Sequence, residues 1–458
     1  MKIISLYINK FRIIESLDMQ LNSNEIYVIG ENGSGKSTIL EAIAEIFAHL
    51  YSLVGNFTTY QTDFDFIITY SIGEHEVQFT SYDTFTVDDN EVSLAQFREI
   101  NAQTPLLPNN IFLYYAGITD RLKSVSDLFL DRYRRQLAQM KDTELADKVP
   151  ALSPFIYADG GHLDITFAAL MADNNLRVRD KLGLHEDCHI KMEFCLRKPK
   201  SNKEGGTPDQ LWGERSIVIL DFVRQLIDVS ESYNSEDSNR LSITVESLGL
   251  ASLAKDLEGK GRYIYQMLEF LRYRGMLEEV RIYWDKENGE TVSLNYLSEG
   301  EKQAILSICA TDIWGDNDML LLLDEPDTFL HPRWQNTFVS EVAERLGSNQ
   351  LFVTTHSSLM LSSIKEGQLF TMHEGQISEF LRRTYGMDST SLLRIAMGAS
   401  EREKGVNDLM DEIVELCDSG EIEEAKSKLS ILESATDENN KEVMQMKAYI
   451  TRTELFKS

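Results

Sequence analysis

The spacing of apolar residues along the 458 positions of this chain changes period several times, and each change marks an element. Met1-Lys2-Ile3-Ile4-Ser5-Leu6-Tyr7-Ile8 alternates as a strand does, and Ile26-Tyr27-Val28-Ile29 is a short unbroken apolar run. Ile39, Leu40, Ile43, Ile46, Phe47 and Leu50 then return at helical spacing to one face. Residues 64–82 predict a hairpin around Gly73-Glu74, and residues 111–115 a short buried strand. From about 120 to 175 the pattern is mainly helical. Residues 190–196 alternate again, residues 216–228 predict an amphipathic helix, and further helices are expected near 248–275. Residues 278–284 and 291–296 flank Asn288-Gly289, a strong hairpin signal. Residues 319–323 and 351–355 are further strand runs, the first wholly apolar, as strands covered on both faces of a parallel sheet are. The sheet is expected to finish near residue 380. Residues 388–458 hold no strand pattern and no proline, and Ile413, Leu416, Ala425, Leu429 and Leu432 offer facing stripes for a helical hairpin.

Three of these strands end in residues with chemistry. Behind the run at 26–29 comes Gly30-Glu31-Asn32-Gly33-Ser34-Gly35-Lys36-Ser37-Thr38, a P-loop between strand and helix. Gly30, Gly33 and Gly35 let successive backbone N–H groups turn inward, with Asn32 and Ser34 between them, so that phosphate oxygens meet donors and a helix N-terminus. Lys36 is expected to neutralise the outer phosphates, Ser37 to place its hydroxyl on Mg²⁺, and Thr38 to donate to the inner phosphate. Far downstream, Leu297-Ser298-Glu299-Gly300-Glu301-Lys302-Gln303 opens another helix, a second anion site made of a hydroxyl and free N–H groups. The apolar strand at 319–323 ends in Asp324-Glu325-Pro326, which brings carboxylates to the edge of the sheet beside the P-loop. Asp324 is expected to hold Mg²⁺ and Glu325 to polarise the attacking water. His356 follows the strand at 351–355 and is expected to reach the terminal phosphate.

Charge and cysteine content narrow the setting. A net charge of -29 opposes general adhesion to nucleic acid or to an acidic membrane, so any DNA contact is local. Two basic clusters could serve, Arg132, Arg134 and Arg135, and Arg197, Lys198, Lys200 and Lys203, although ordinary solvated faces or loops are the favoured reading of each. Four scattered cysteines build no disulfide framework, and with no run of about eighteen apolar residues and no cleavable leader pattern the expectation is a cytoplasmic protein without a membrane partner. His185-Glu186-Asp187-Cys188-His189 matches no common zinc spacing and reads more simply as a polar loop entering a strand.

The P-loop, the Leu-Ser-x-Gly-Glu signature, the apolar strand ending Asp-Glu-Pro and the final histidine together resemble an ABC-type ATPase. Asn9-Lys10-Phe11-Arg12 before the P-loop strand resembles the SMC, RecF and OLD branch, and Asp327-Thr328-Phe329-Leu330-His331-Pro332 the OLD-like defence ATPases, with His331 where transporters place the D-loop aspartate. Gln61 is a Q-loop candidate by order alone. Residues 114–122, Leu211-Trp212-Gly213 and residues 382–388 are similar to the PtuA family of Septu and retron antiphage systems.

The resemblance implies an α/β head, a mixed sheet flanked by helices, with a large α+β insertion and a C-terminal helical appendage. The divisions expected are head at 1–115 and 291–385, insertion at 116–290 and an acidic helical appendage at 386–458, which reads as a docking element or, almost as well, as a plain stabilising cap. It further implies ATP and Mg²⁺ as cofactors and an ATP-dependent dimer or higher oligomer in which Ser298, Gly300 and Glu301 act in trans. A separate HNH-type nuclease is implied as partner. A RecF- or SMC-like repair ATPase that clamps DNA is the alternative, and a transporter subunit the remote one.

Overall fold

The computed structural model describes residues 1–55, 60–117, 121–139, 152–185, 188–199, 206–253, 259–285, 289–314, 318–380, 384, 392, 404–435 and 440–457. They fall into two compact units, Met1–Gly386 and Met387–Ser458.

The first unit is organised by a seven-stranded sheet. Its spatial order is Gln376–Glu379, Leu369–His373, Glu25–Gly30, Gln350–Thr354, Leu320–Asp324, Ile111–Tyr115 and Phe155–Ala158. All neighbours run parallel except the first pair. Parallel strands covered on both faces need apolar residues at every position, which is how Leu320–Leu323 and Leu351–Val353 read and where they lie, at 0–1% exposure. Register then fixes the site: Asp324 pairs with Thr354 and with Tyr115, and Thr354 with Val28, so the strand ends carrying the chemistry share one edge.

A second, antiparallel sheet has the order Ile14–Gln20, Lys2–Phe11, Asp65–Ile72, His75–Thr80, Phe85–Val87 and Asn90–Val92. The hairpin expected at 64–82 is therefore present, and the sheet continues beyond it through a turn at Asp88-Asp89. Both of these aspartates have positive φ, 50° and 63°, the geometry usually signalled by Asn-Gly, which is why the extra strands were not legible. The helix Lys36–Val54 packs against strands of both sheets, with Ile39, Leu40, Ile43, Ile46, Phe47 and Leu50 fully buried. Each such side chain contributes roughly 1.5–3 kcal/mol. By length and composition this helix could cross a membrane, but 72% of its apolar window is packed inside the head.

Residues 190–293 contain a five-stranded antiparallel sheet, ordered Ser232–Asp237, Arg240–Glu246, Ile190–Arg197, Leu277–Asp285 and Thr291–Ser293. The hairpin 232–246 was not anticipated, since Ser232–Asp237 is a polar edge strand with no apolar alternation. Phe155–Ala158 lies inside the stretch expected to be an insertion yet forms the edge of the head sheet. The helix Leu163–Ala172, buried all round, packs against Glu299–Asp312, which opens with the signature. Leu211 and Trp212 both adopt left-handed backbone conformations, and the buried Trp212 donates Nε1–H to Ser238 O at 2.8 Å.

The second unit holds the helices Lys404–Ser419, Ile422–Ala435 and Lys441–Lys457 around Ile413, Cys417, Ala425, Leu432, Val443 and Ile450. The expected hairpin is there, turned by Gly420 at φ 96°, and a third helix completes its core.

The turn after Leu369–His373 supports the P-loop. Gly375 donates its N–H to Ser34 O at 2.9 Å, has φ 78°, and a Cβ there would lie 2.1 Å from Ile13 O. Gly375→Ala is therefore expected to lower stability by about 2 kcal/mol, read as a lower midpoint in urea denaturation.

Candidate functional site

The P-loop is shaped by contacts that leave no room for side chains. A Cβ on Gly30 would meet Met372 O at 2.2 Å, and one on Gly35 would meet Met372 Cε at 2.7 Å and Ile13 Cγ2 at 2.9 Å. Gly33 and Gly35 also have φ of 80° and 110°, conformations that favour glycine. Gly35 is the N-cap of Lys36–Val54, so the first free N–H groups of that helix open into the loop. Ser34 Oγ is buried and has no hydrogen-bond partner among the described residues, and Thr38 is buried in the first turn. Lys36 is 4% exposed and donates to Gly30 O at 3.1 Å and Glu31 O at 3.0 Å. Burial holds its ammonium below the usual lysine range, while Glu325, Asp324 and Asp327 oppose that shift.

Asp324, from the end of its strand, faces this loop. Its Oδ1 accepts from Ser37 Oγ at 2.9 Å and from Thr354 Oγ1. Burial raises its carboxyl above the usual range, and the two hydroxyl bonds resist. A hydroxyl and a carboxylate meeting on one side of a glycine cradle are hard oxygen donors that fit Mg²⁺, and Ser34 Oγ is left over as a donor for an anion. Ser37 and Asp324 would hold the ion, which supplies charge neutralisation at the phosphates.

Glu325 sits beside them in an unusual backbone state, φ 51°. The conformation is held by its own N–H, which donates to Thr354 O and to Thr354 Oγ1, both at 3.1 Å. Its Oε1 lies 3.6 Å from His356 Nε2, and that nitrogen has no hydrogen-bond partner among the described residues. Burial and the nearby Lys36 charge depress the His356 pKa, so the imidazole is neutral at neutral pH and can accept or donate at Nε2. A carboxylate and a neutral imidazole over a phosphate cradle can orient and deprotonate one water.

Ser298, Gly300 and Glu301 lie elsewhere. Ser298 is the N-cap of Glu299–Asp312, and the capping box is closed: Glu301 N–H donates to Ser298 Oγ at 3.3 Å and Ser298 N–H to Glu301 Oε2 at 2.8 Å. Ser298 is exposed, and among the described residues no hydrogen bond joins this helix start to the P-loop. Gly300 rests on the backbone of Phe329, where a Cβ would be 2.5 Å from the carbonyl oxygen.

Other residues singled out in the sequence have plainer surroundings. His331 caps Pro332–Ala343, its Nδ1 accepting from Arg333 N–H at 3.2 Å. Gln61 is exposed and makes no hydrogen bond to the site among the described residues. Arg134 faces Asp131 and Tyr273, and Arg197 faces Glu278; Lys200 and Lys203 fall outside the described residues. No group of three metal-ligating side chains occurs among the described residues, and Glu186 and Asp187 are outside them. Residues 382–388 are outside them also, apart from the buried Thr384. Sequence reasoning missed Thr354, whose hydroxyl fixes both Asp324 and Glu325, and Glu41, a buried P-loop-helix carboxylate paired with Arg12. Thr354 carried no motif signal; a polar residue ending an apolar strand opposite Asp324 was the available clue.

Residues 1–126 match a family model described as an AAA ATPase domain, and residues 200–362 one described as an AAA domain, putative AbiEii toxin, Type IV TA system. The Retron Vc95 probable ATPase of Vibrio cholerae serotype O1 biovar El Tor is 22% identical over 399 residues, 77% of this chain and 69% of that protein. The Retron Ec83 probable ATPase of Escherichia coli is 23% identical over 426 residues, covering 82% and 72%. The Septu protein PtuA of Bacillus mycoides (strain KBAB4) is 28% identical over 224 residues, 45% of this chain and 28% of that protein. This chain is an ATPase similar to PtuA and to the two retron ATPases. A solved SMC head bound to the C-winged helix domain of ScpA aligns with 84% of this ATPase and 98% of its own chain, at 11% identity and a TM-score of 0.37. The head assignment rests instead on the parallel strand order and on the P-loop and Asp-Glu-Pro motifs at one sheet edge.

Proposed function

We propose that this ATPase works as a nucleotide-dependent switch in antiphage defence, closing head to head on ATP and regulating a separate HNH-type nuclease. In this reading Gly30 to Thr38 bind the phosphates of one ATP, Ser37 and Asp324 carry Mg²⁺, Glu325 takes the proton of the attacking water, and His356 positions that water. Ser298, Gly300 and Glu301 of a second chain cover the terminal phosphate. The observation that carries it is the separation of the two halves: the P-loop and Asp324 are joined by the Ser37 contact, whereas Ser298 at the start of Glu299–Asp312 is exposed and, among the described residues, makes no hydrogen bond to the P-loop. The nuclease partner is supported by likeness to a Septu protein and two retron ATPases. The acidic helices 404–457 are the proposed docking face, and the cytoplasm the proposed compartment.

Ser298→Arg tests the trans site. The larger side chain would crowd the second chain's phosphate, so ATP affinity measured by titration calorimetry should stay within about twofold while turnover falls at least about 100-fold. Expression with the flanking genes, followed by native mass spectrometry, tests the partner: a nuclease retained in fixed ratio is expected, and repeated isolation of the ATPase alone contradicts it.

A further inference from the structure

Glu325, in a left-handed backbone state, and His356, whose Nε2 lies 3.6 Å from Glu325 Oε1 without a hydrogen-bond partner among the described residues, stand on two separate loops. Thr354 holds the Glu325 N–H and Thr328 the Glu325 carbonyl, but neither reaches the His356 loop. Side-chain hydrogen bonds from one residue, Gln335 in the first turn of Pro332–Ala343, reach both loops. Its Nε2 donates to Asp327 O and to Leu330 O, both at 3.0 Å, which pins the loop running on from Glu325. Its Oε1 accepts from Ser357 Oγ at 2.8 Å, which pins the residue after His356. One amide thus uses both donors and one acceptor lone pair across two separate loops.

Neighbouring contacts run in the same direction. The buried Asp327 carboxyl takes the backbone N–H of His356, a second tie between the loops. On the far side, Phe329 N–H donates to Gln303 Oε1 at 3.0 Å, and Gly300 packs on the Phe329 carbonyl. The loop 326–330 is therefore clamped to the signature helix by Gln303 and to the His356 loop by Gln335.

We infer that Gln335 is a positioning residue for ATP hydrolysis, fixing Glu325 against His356 by tying the two loops that carry them. The inference rests on the catalytic reading of Glu325 given above. A displacement of about 1 Å between a base and the group it acts with costs on the order of 100-fold in rate, so losing the tie should lower kcat while leaving nucleotide binding, made by the P-loop, as it was.

The test compares Gln335→Met, which keeps length and removes all three hydrogen bonds, with Ser357→Ala, the double variant and Glu325→Gln, each in the full chain. Gln335→Met is expected to lower kcat about 30-fold with KM for ATP within about twofold and an unchanged thermal midpoint. The double variant is expected to be no slower than the slower single, since both cut one connection. Gln335→Glu, which keeps the acceptor for Ser357, is expected to recover part of the rate. If Glu325→Gln abolishes turnover while Gln335→Met matches the unaltered chain, this inference falls and the catalytic reading stands. Full turnover in Glu325→Gln overturns both, and a fall in kcat and thermal midpoint together reduces Gln335 to a fold-stabilising residue.

Discussion

Glu325→Gln is expected to bind ATP as tightly as the unaltered chain and to hydrolyse it about 1000-fold more slowly. Gln keeps the size of the side chain and its polar contact with His356, but cannot take a proton from water, and a positioned general base contributes roughly 10²–10⁴-fold. The backbone that presents residue 325 is independent of the carboxylate, being held through N–H bonds to Thr354 and through Thr328, whose N–H and Oγ1 reach Glu325 O at 3.2 and 3.1 Å. The substitution therefore tests chemistry rather than folding. Single-turnover assays with radiolabelled ATP give the hydrolysis rate, and equilibrium titration with a fluorescent ATP analogue the affinity. Retained turnover would remove Glu325 from its assigned role.

Lys36→Ala is expected to act on binding instead, weakening ATP affinity at least about 100-fold. The lysine lies almost wholly buried inside the loop, held by Gly30 O and Glu31 O, so its charge is delivered to the phosphates without the cost of ordering a free side chain. Two lost charge-assisted contacts of roughly 1.5 kcal/mol each correspond to a factor of about 100. The Ser37 to Asp324 contact remains, so the variant should still fold with an unchanged circular dichroism spectrum. Wild-type affinity in a folded variant would contradict the P-loop assignment.

The parts that sequence made legible are those in which local pattern and chemistry coincide. The P-loop strand and helix, the strand ending in Asp324-Glu325 and the strand before His356 each combine an apolar run with a terminal polar residue, and parallel register brings those ends together. What remained hidden depends on contacts between loops. Thr354, Asp327 and Gln335 act through backbone and side-chain bonds across separate loops and leave no periodic trace. The turn at Asp88-Asp89 lacked the glycine that marks such turns, and Ser232–Asp237 the apolar alternation of a buried strand. Phe155–Ala158 is a short apolar run whose partner residues in Ile111–Tyr115 lie 44 positions earlier, and parallel pairing at that distance is set by the sheet as a whole.

The most direct measurement is native mass spectrometry of Glu325→Gln with and without ATP and Mg²⁺, alongside the double variant Ser298→Arg/Glu325→Gln. Two-chain or larger species carrying ATP should form with nucleotide, vanish without it, and fail to form when Ser298 is replaced. A Glu325→Gln chain that remains single with ATP bound would contradict the site completed by a second copy.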